Sequence, residues 1–203
     1  MKKTRAVKHQ RKTTETDVKI ELNLDGAGKF RIYTGIGFLD HMLSLFARHG
    51  CFNLKLMAKG DLEVDIHHTN EDVGIALGEA FAKAVGNKKG IRRFGSMNVA
   101  VPMEEALARI ALDINGRPSL YMRCLGKPVP PTYIDRQGYS LNSAKQFLEA
   151  FVRNAGINLH VEYRGEDLHH VLEAIFKALG RALCDATRLD PRIKGVPSTK
   201  GKL

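Results

Sequence analysis

Two short stretches of the chain carry the same metal-binding side chains at the same spacing. They are His67-His68-Thr69-Asn70-Glu71 and His169-His170-Val171-Leu172-Glu173. On a helix, residues four apart share a face, while adjacent residues diverge by about 100°. His67 with Glu71, and His169 with Glu173, can therefore each hold one ion. His68 and His170 would then point elsewhere, toward a second ion or a neighbouring subunit. Imidazole and carboxylate without thiolate suit Mn, Fe, Co or Zn. A lone His-His-x-x-Glu is ordinarily a surface or hydrogen-bonded pair. Two copies in matching contexts favour two metal positions, each drawing from both motifs.

The elements that must carry these side chains recur in the same order. Val18, Ile20, Leu22 and Leu24 alternate as a half-buried strand does, and Asp25-Gly26 turns the chain toward a strand around Phe30 and Ile32. The spacing becomes helical from Phe38 to His49, with Gly50 as its stop. A strand at Leu54 and Leu56 and a helix from Val73 to Ala84 follow. In the second half, Ala108, Ile110, Leu112 and Ile114 alternate before Asn115-Gly116. A short strand near Leu120 and Met122 leads into the loop Lys127-Pro128-Val129-Pro130-Pro131. A helix over Leu141–Val152, a strand at Ile157–Val161 and a long helix from Val171 to Leu183 complete the order.

Single residues align as well. Glu15 lies eleven residues before Gly26, and Glu105 eleven before Gly116; Asn53-Leu54-Lys55-Leu56 matches Asn158-Leu159-His160-Val161. These matches predict an internal duplication, with halves at about 1–90 and 91–190 and a C-terminal tail over 191–203. The fold class expected is α+β, with helices covering one face of each sheet. His41 and His160 read as ordinary helix-start and strand histidines, and His9 and His49 have no evident partner.

Anion-binding groups stand apart from the histidines. Arg92-Arg93-Phe94-Gly95 and Gly116-Arg117-Pro118 each set an arginine beside a turn, and the guanidinium fork suits phosphate. Ser198, Thr199 and Lys200, before Gly201, make a phosphate clasp in the tail. With a metal site, they imply a small phosphorylated substrate.

The net charge of +10 lies at the ends: six cations and no acid in residues 1–12, and five cations against Asp190 in residues 188–203. The body between is neutral, so nucleic-acid binding is not expected, and the termini read as solvated tails or as an end that closes on an anion. No apolar run suggests a membrane span or a signal peptide. Cys51, Cys124 and Cys184 are scattered, which fits a reducing cytoplasm.

GFLDHML (37–43), HHTNED (67–72), RRFG (92–95), DINGRP (113–118), HHVLEAIFKALGRAL (169–183) and PSTKG (197–201) together resemble the imidazoleglycerol-phosphate dehydratase family. The resemblance spans nearly the whole chain and implies one domain, 1–203, of two similar halves, each a four-stranded sheet with helices on one face. It implies a shell-like homo-oligomer of about 24 chains, with two Mn ions per active site at subunit interfaces. His41, His67, His68, Glu71, His169, His170 and Glu173 would be metal ligands. Glu15 would lie by the substrate as acid or base, with Glu71 and Glu173 as the next candidates. Arg93, Arg117, Lys177, Ser198, Thr199 and Lys200 would bind substrate, and the tail would close on it.

A further ligand position, commonly His in relatives, falls on Gln146, whose carbonyl oxygen is the weaker ligand. The duplication singles out the same place, because His41 lies twelve residues before Asn53 and Gln146 twelve before Asn158.

The implied reaction takes water from D-erythro-imidazoleglycerol phosphate to give imidazoleacetol phosphate, a step of histidine biosynthesis. The carbon-bound proton has no carbonyl beside it, so the expected route is an imidazolate, formed on a metal, that expels the neighbouring hydroxyl. The alternative is a dinuclear metal phosphoesterase using the same His/Glu set.

Overall fold

The computed structural model describes residues 5–127 and 137–203, except the side chains of residues 96–99. The first half consists of β1 (Ala6–Lys12), β2 (Asp17–Asn23), β3 (Phe30–Tyr33), α1 (Gly37–His49), β4 (Asn53–Lys59) and α2 (His67–Val85). The second consists of β5 (Phe94–Met103), β6 (Ala106–Asp113), β7 (Ser119–Cys124), α3 (Leu141–Ala155), β8 (Asn158–Arg164) and α4 (Leu168–Thr187). The strands form two four-stranded sheets, ordered β1-β2-β4-β3 and β5-β6-β8-β7. In each sheet the last-named pair is parallel and the others antiparallel. The α+β expectation holds, and the proline loop from residue 128 on lies outside the described residues.

Register repeats along with order. Asn23 pairs with Asn53 across β2–β4, and Asp113 with Asn158 across β6–β8. The alternating apolar residues of β2, β4, β6 and β8 are buried on the helix side. Helices α1 and α2 cover the first sheet, and α3 and α4 the second. The helical layers then meet, α1 against α4 and α2 against α3. Glycines permit close contact there: a Cβ on Gly180 would lie 2.4 Å from the Phe46 carbonyl oxygen, and one on Gly78 2.6 Å from that of Phe151.

The basic N-terminal segment is not a solvated tail from Ala6 onward. It is edge strand β1, held to α2 by polar contacts. Arg11 forms an ion pair with Asp72 at 2.8 Å, not aligned as a hydrogen bond, and the Thr16 hydroxyl donates to the same carboxylate. His9 Nε2 meets Glu79 at 2.5 Å, and Lys83 reaches His9 Nδ1 at 2.9 Å. Since Asp72 is buried, Asp72→Ala strands Arg11 and costs about 1–3 kcal/mol. Urea unfolding measures that loss, and an unchanged midpoint would refute the anchoring role.

Candidate metal centre

Both His-His-x-x-Glu motifs open a helix, and the sequence shows why. Asp65 and Asp167 each stand two residues before the first histidine. Asp65 Oδ1 accepts from the His67 amide at 2.6 Å, and Asp167 Oδ1 from the His169 amide at 2.7 Å. Each aspartate satisfies an amide at a helix start, where α-helices leave N–H groups unpaired. The repeated unit is thus Asp-x-His-His-x-x-Glu, a longer signal than the histidines alone.

In α4, Glu173 is the joint of the site. Its Oε1 accepts from His41 Nε2 of α1 at 2.7 Å and from His169 Nε2 at 3.2 Å, while Lys177 Nζ donates to Oε2 at 2.5 Å. The carboxylate is 9% exposed and the two imidazoles more than 40%, so the acid faces inward and the rings face out. Burial works to raise the Glu173 pKa, but hydrogen bonds from Lys177 and His41 and the Lys177 charge hold it down at about 2. Upstream, the Thr34 amide and hydroxyl both donate to Asp40 Oδ1, fixing the start of α1 beside His41.

Among the described residues, two groups have ligand atoms mutually within 4.8 Å, His41/His169/Glu173 and Glu15/Asp61/His68. Two imidazole nitrogens with a carboxylate oxygen, or two carboxylates with one imidazole, suit a divalent first-row ion. In the second group, His68 Nδ1 lies 2.8 Å from Asp61 and 3.8 Å from Glu15. The hydrogen bond to Asp61 and the Glu15 charge raise the His68 pKa. Asp61 was not legible as a site residue, since it is a single acid in a turn.

The expectation that each ion draws on both motifs is not met inside one chain: among the described residues, neither group combines them. The packing explains this, because α4 faces α1 while α2 faces α3. His67 and Glu71 share a face as expected, at 3.6 Å. His68 and His170 turn away from Glu71 and Glu173, toward Asp61 with Glu15 and toward Glu105 respectively.

His170 Nδ1 and Glu105 meet at 2.8 Å. Glu105 is held at about 2 by the amide of Asp167 first and His170 second, and the Glu105 hydrogen bond raises His170. Their mutual stabilisation is complete between the unfolded values, about 4.3 and 6.5. It fades as pH falls toward the Glu105 midpoint or rises through that of His170. In metal-free protein, Glu105→Gln brings the His170 midpoint down toward 6.5. NMR titration of the ring protons reads the shift, and an unmoved midpoint would remove the pairing.

The anion-binding candidates divide between two places. Arg93, with a positive φ of 72°, donates from Nε and Nη2 to Asp113 and from Nη1 to the Pro197 carbonyl at 2.9 Å. The chain before it is fastened by backbone bonds to the tail, Gly90–Gly195, and to the end of α4, Arg92–Arg188. A Cβ on Gly116 would lie 3.3 Å from the Leu203 carbonyl carbon, so the chain end meets the turn that carries Arg117. Ser198 Oγ accepts from the Lys200 amide, and Thr199 and Lys200 are exposed. Lys177, by contrast, lies on Glu173. His160 is a strand histidine, as expected, and stacks on Tyr121 at 4.6 Å. A cavity of about 550 Å³, lined in part by Lys8, Glu21, Phe30 and Lys55, lies on the first sheet, away from the histidine clusters.

Residues 34–183 match the family model described as imidazoleglycerol-phosphate dehydratase. The chain belongs to that family. The imidazoleglycerol-phosphate dehydratase of Thermoanaerobacter pseudethanolicus is 57% identical over 196 residues, covering 96% of this chain and 97% of its own. The crystal structure of the Staphylococcus aureus dehydratase matches with a TM-score of 0.76 at 34% identity, covering 91% of this chain and 100% of that one. That of the Pyrococcus furiosus enzyme matches at 0.78 and 34%, covering 96% and 99%. The protein is therefore an enzyme, a hydro-lyase of histidine biosynthesis, and the phosphoesterase alternative is not favoured. Among the described residues, no helix is long and apolar enough to cross a membrane.

Proposed function

We propose that the two histidine motifs form the centre at which this chain removes water from D-erythro-imidazoleglycerol phosphate, giving imidazoleacetol phosphate. The observation that carries the assignment is the convergence of His41, His169 and Glu173, two imidazoles and a carboxylate with ligand atoms within 4.8 Å. These residues fit a divalent ion, Mn in this reading and two per active site, held by His41, His67, His68, Glu71, His169, His170 and Glu173. Gln146 is the weakest member of the set. When bound, such an ion supplies Lewis acidity and a template for ring and hydroxyl.

The chain's own groups do the rest. Glu15, exposed and 3.8 Å from His68 Nδ1, is the carboxylate assigned to move the carbon-bound proton, with Glu71 and Glu173 next. Arg93, Arg117, Ser198, Thr199 and Lys200 bind the phosphate, remote binding that fixes the pose of the reacting carbons. Arg93 already grips the tail at Pro197, so closure of residues 191–203 and phosphate binding share one side chain. Lys177, paired with the Glu173 carboxylate, is the further substrate-binding cation of this reading.

A shell of about 24 chains with interfacial sites belongs to the same reading. Its support is that His68 and His170 turn away from their own motif glutamates and stay partly exposed, and that Tyr33, Met57 and Tyr121 are exposed on the sheets. The unit of 1–203 with halves near 1–90 and 91–190, and a cytoplasmic location in keeping with three free cysteines, complete it.

Chelation followed by Mn addition tests the centre. Dehydration, read as ketone product, should vanish and return. Full turnover after complete metal removal would sink the metal role, and phosphate release without ketone would revive the phosphoesterase.

A further inference from the structure

The pseudo-symmetry of the helices pairs each side chain of one half-site with a counterpart in the other. Gly180 of α4 meets the Phe46 carbonyl of α1, and Gly78 of α2 meets the Phe151 carbonyl of α3. Gly78 lies eleven residues after His67, and Gly180 eleven after His169; Phe46 and Phe151 each lie seven before the matched asparagines, Asn53 and Asn158. The two helix crossings are therefore the same crossing made twice. Under that mapping, His169 and Glu173 correspond to His67 and Glu71, and His41 corresponds to Gln146.

The local geometry supports the mapping independently. Asn70 Nδ2 donates to the Ser143 carbonyl at 2.8 Å, and a Cβ on Gly74 would lie 2.7 Å from the Phe147 carbonyl oxygen. Gln146 and Glu71 lie between those contacts on helices running side by side, as His41 and Glu173 do. The surroundings of the two carboxylates nonetheless differ. Glu173 is buried and held by His41, His169 and Lys177. Glu71 is half-exposed with His67 at 3.6 Å, and Ile75 occupies the position four residues on that Lys177 has beside Glu173. Gln146 is half-buried, and its side chain makes no hydrogen bond among the described residues.

We infer that the two half-sites hold metal unequally: His41/His169/Glu173 is a tight position and His67/Glu71/Gln146 a weak one, with Gln146 as the cause. An amide carbonyl oxygen is a far weaker Lewis base than an imidazole nitrogen, so the second position has lost the stronger donor that His41 supplies to the first. Preorganisation adds to the difference. Glu173 is already oriented by three donors, whereas Glu71 must be ordered when the ion arrives. Losing even an orienting partner of a metal ligand costs about 10–100-fold in affinity, so the second position should be at least about tenfold weaker than the first.

This inference rests on the metal reading above, and the test separates the two. Metal-free full-length protein is titrated with Mn by calorimetry, with bound ion counted by electron paramagnetic resonance. Wild type should show a tight class and a weak class in equal number. Gln146→His should merge the weak class with the tight one, and His41→Gln should weaken the tight one. Circular dichroism and assembly size check each variant's fold. Two equal classes in wild type would overturn the inequality while leaving the metal centre standing. Two classes that Gln146→His leaves unchanged would overturn the role of Gln146. No stoichiometric binding in any variant would overturn the metal reading itself, and this inference with it.

Discussion

Glu173→Gln lowers dehydration turnover by about 10²–10⁴-fold, the range expected when one positioned catalytic carboxylate is removed. Glutamine keeps the shape and can still meet Lys177 through its carbonyl oxygen. It loses the charge that His41, His169 and Lys177 surround. The change also leaves the Lys177 ammonium half-buried beside Met103 Sδ without its one ion-pair partner among the described residues. Glu71→Gln is the informative comparison. That carboxylate is half-exposed, and its one ion-pair partner among the described residues is His67, so its replacement strands no buried charge. Steady-state assays of both variants at saturating Mn, with melting curves as a fold check, measure the contrast. Turnover within tenfold of wild type for Glu173→Gln would remove this carboxylate from the centre.

The strands that the sequence made legible are those whose inner faces are apolar. Those it hid have another reason to be straight. β2, β4, β6 and β8 alternate between buried and exposed residues, so a period of two is written in their side chains. β1 has no fully buried residue, and its inward positions include His9 and Arg11, whose partners are Glu79 and Asp72 on a helix far along the chain. Hydrophobic patterning cannot register an edge strand held by ion pairs, so its basic residues read as a tail. β5 was obscured differently. Its pairing with β6 shifts between Gly95 and Val99, and Pro102 sits near its end, so no simple alternation runs through it.

The site shows the same division. His67, His169 and the glutamates were legible because helical spacing is local, and that spacing survives as the His169–Glu173 contact at 3.2 Å. The partnership of Glu173 with His41 is non-local, since it requires α4 to cross α1. Nothing in the residues around His41 marks it by chemistry alone, and it entered through family resemblance. Asp61 entered by neither route, because a turn aspartate looks like any solvated acid until the fold sets it 2.8 Å from His68. Duplicated spacing was the one sequence signal with non-local content. Twelve-residue spacing to Asn53 and Asn158 is enough to match Gln146 with His41.

The helix crossing that brings His41 to Glu173 leaves no room for a methyl group at Gly180, which makes Gly180→Ala a costly conservative change beside the centre. Alanine normally gains about 0.5–1 kcal/mol over glycine inside a helix. Here the added Cβ would lie 2.4 Å from the Phe46 carbonyl oxygen and 3.0 Å from the Gly50 amide nitrogen. Both are backbone atoms, so no rotamer change relieves the contact, and the helices must separate. Overpacking of this kind costs about 1–3 kcal/mol. For a chain of this size each kcal/mol lowers Tm by about 2–4 °C. Separation also draws His41 away from Glu173, so turnover falls with stability rather than independently of it. Gly37→Ala is the matched control, because nothing lies within 4 Å of its Cβ position at the start of α1. That variant should be neutral or stabilised by about 0.4–1 kcal/mol. Calorimetric melts and turnover of the two variants together decide the point. Equal Tm values for Gly180→Ala and Gly37→Ala would mean that the α1–α4 contact is not what limits the distance between the two halves of the centre.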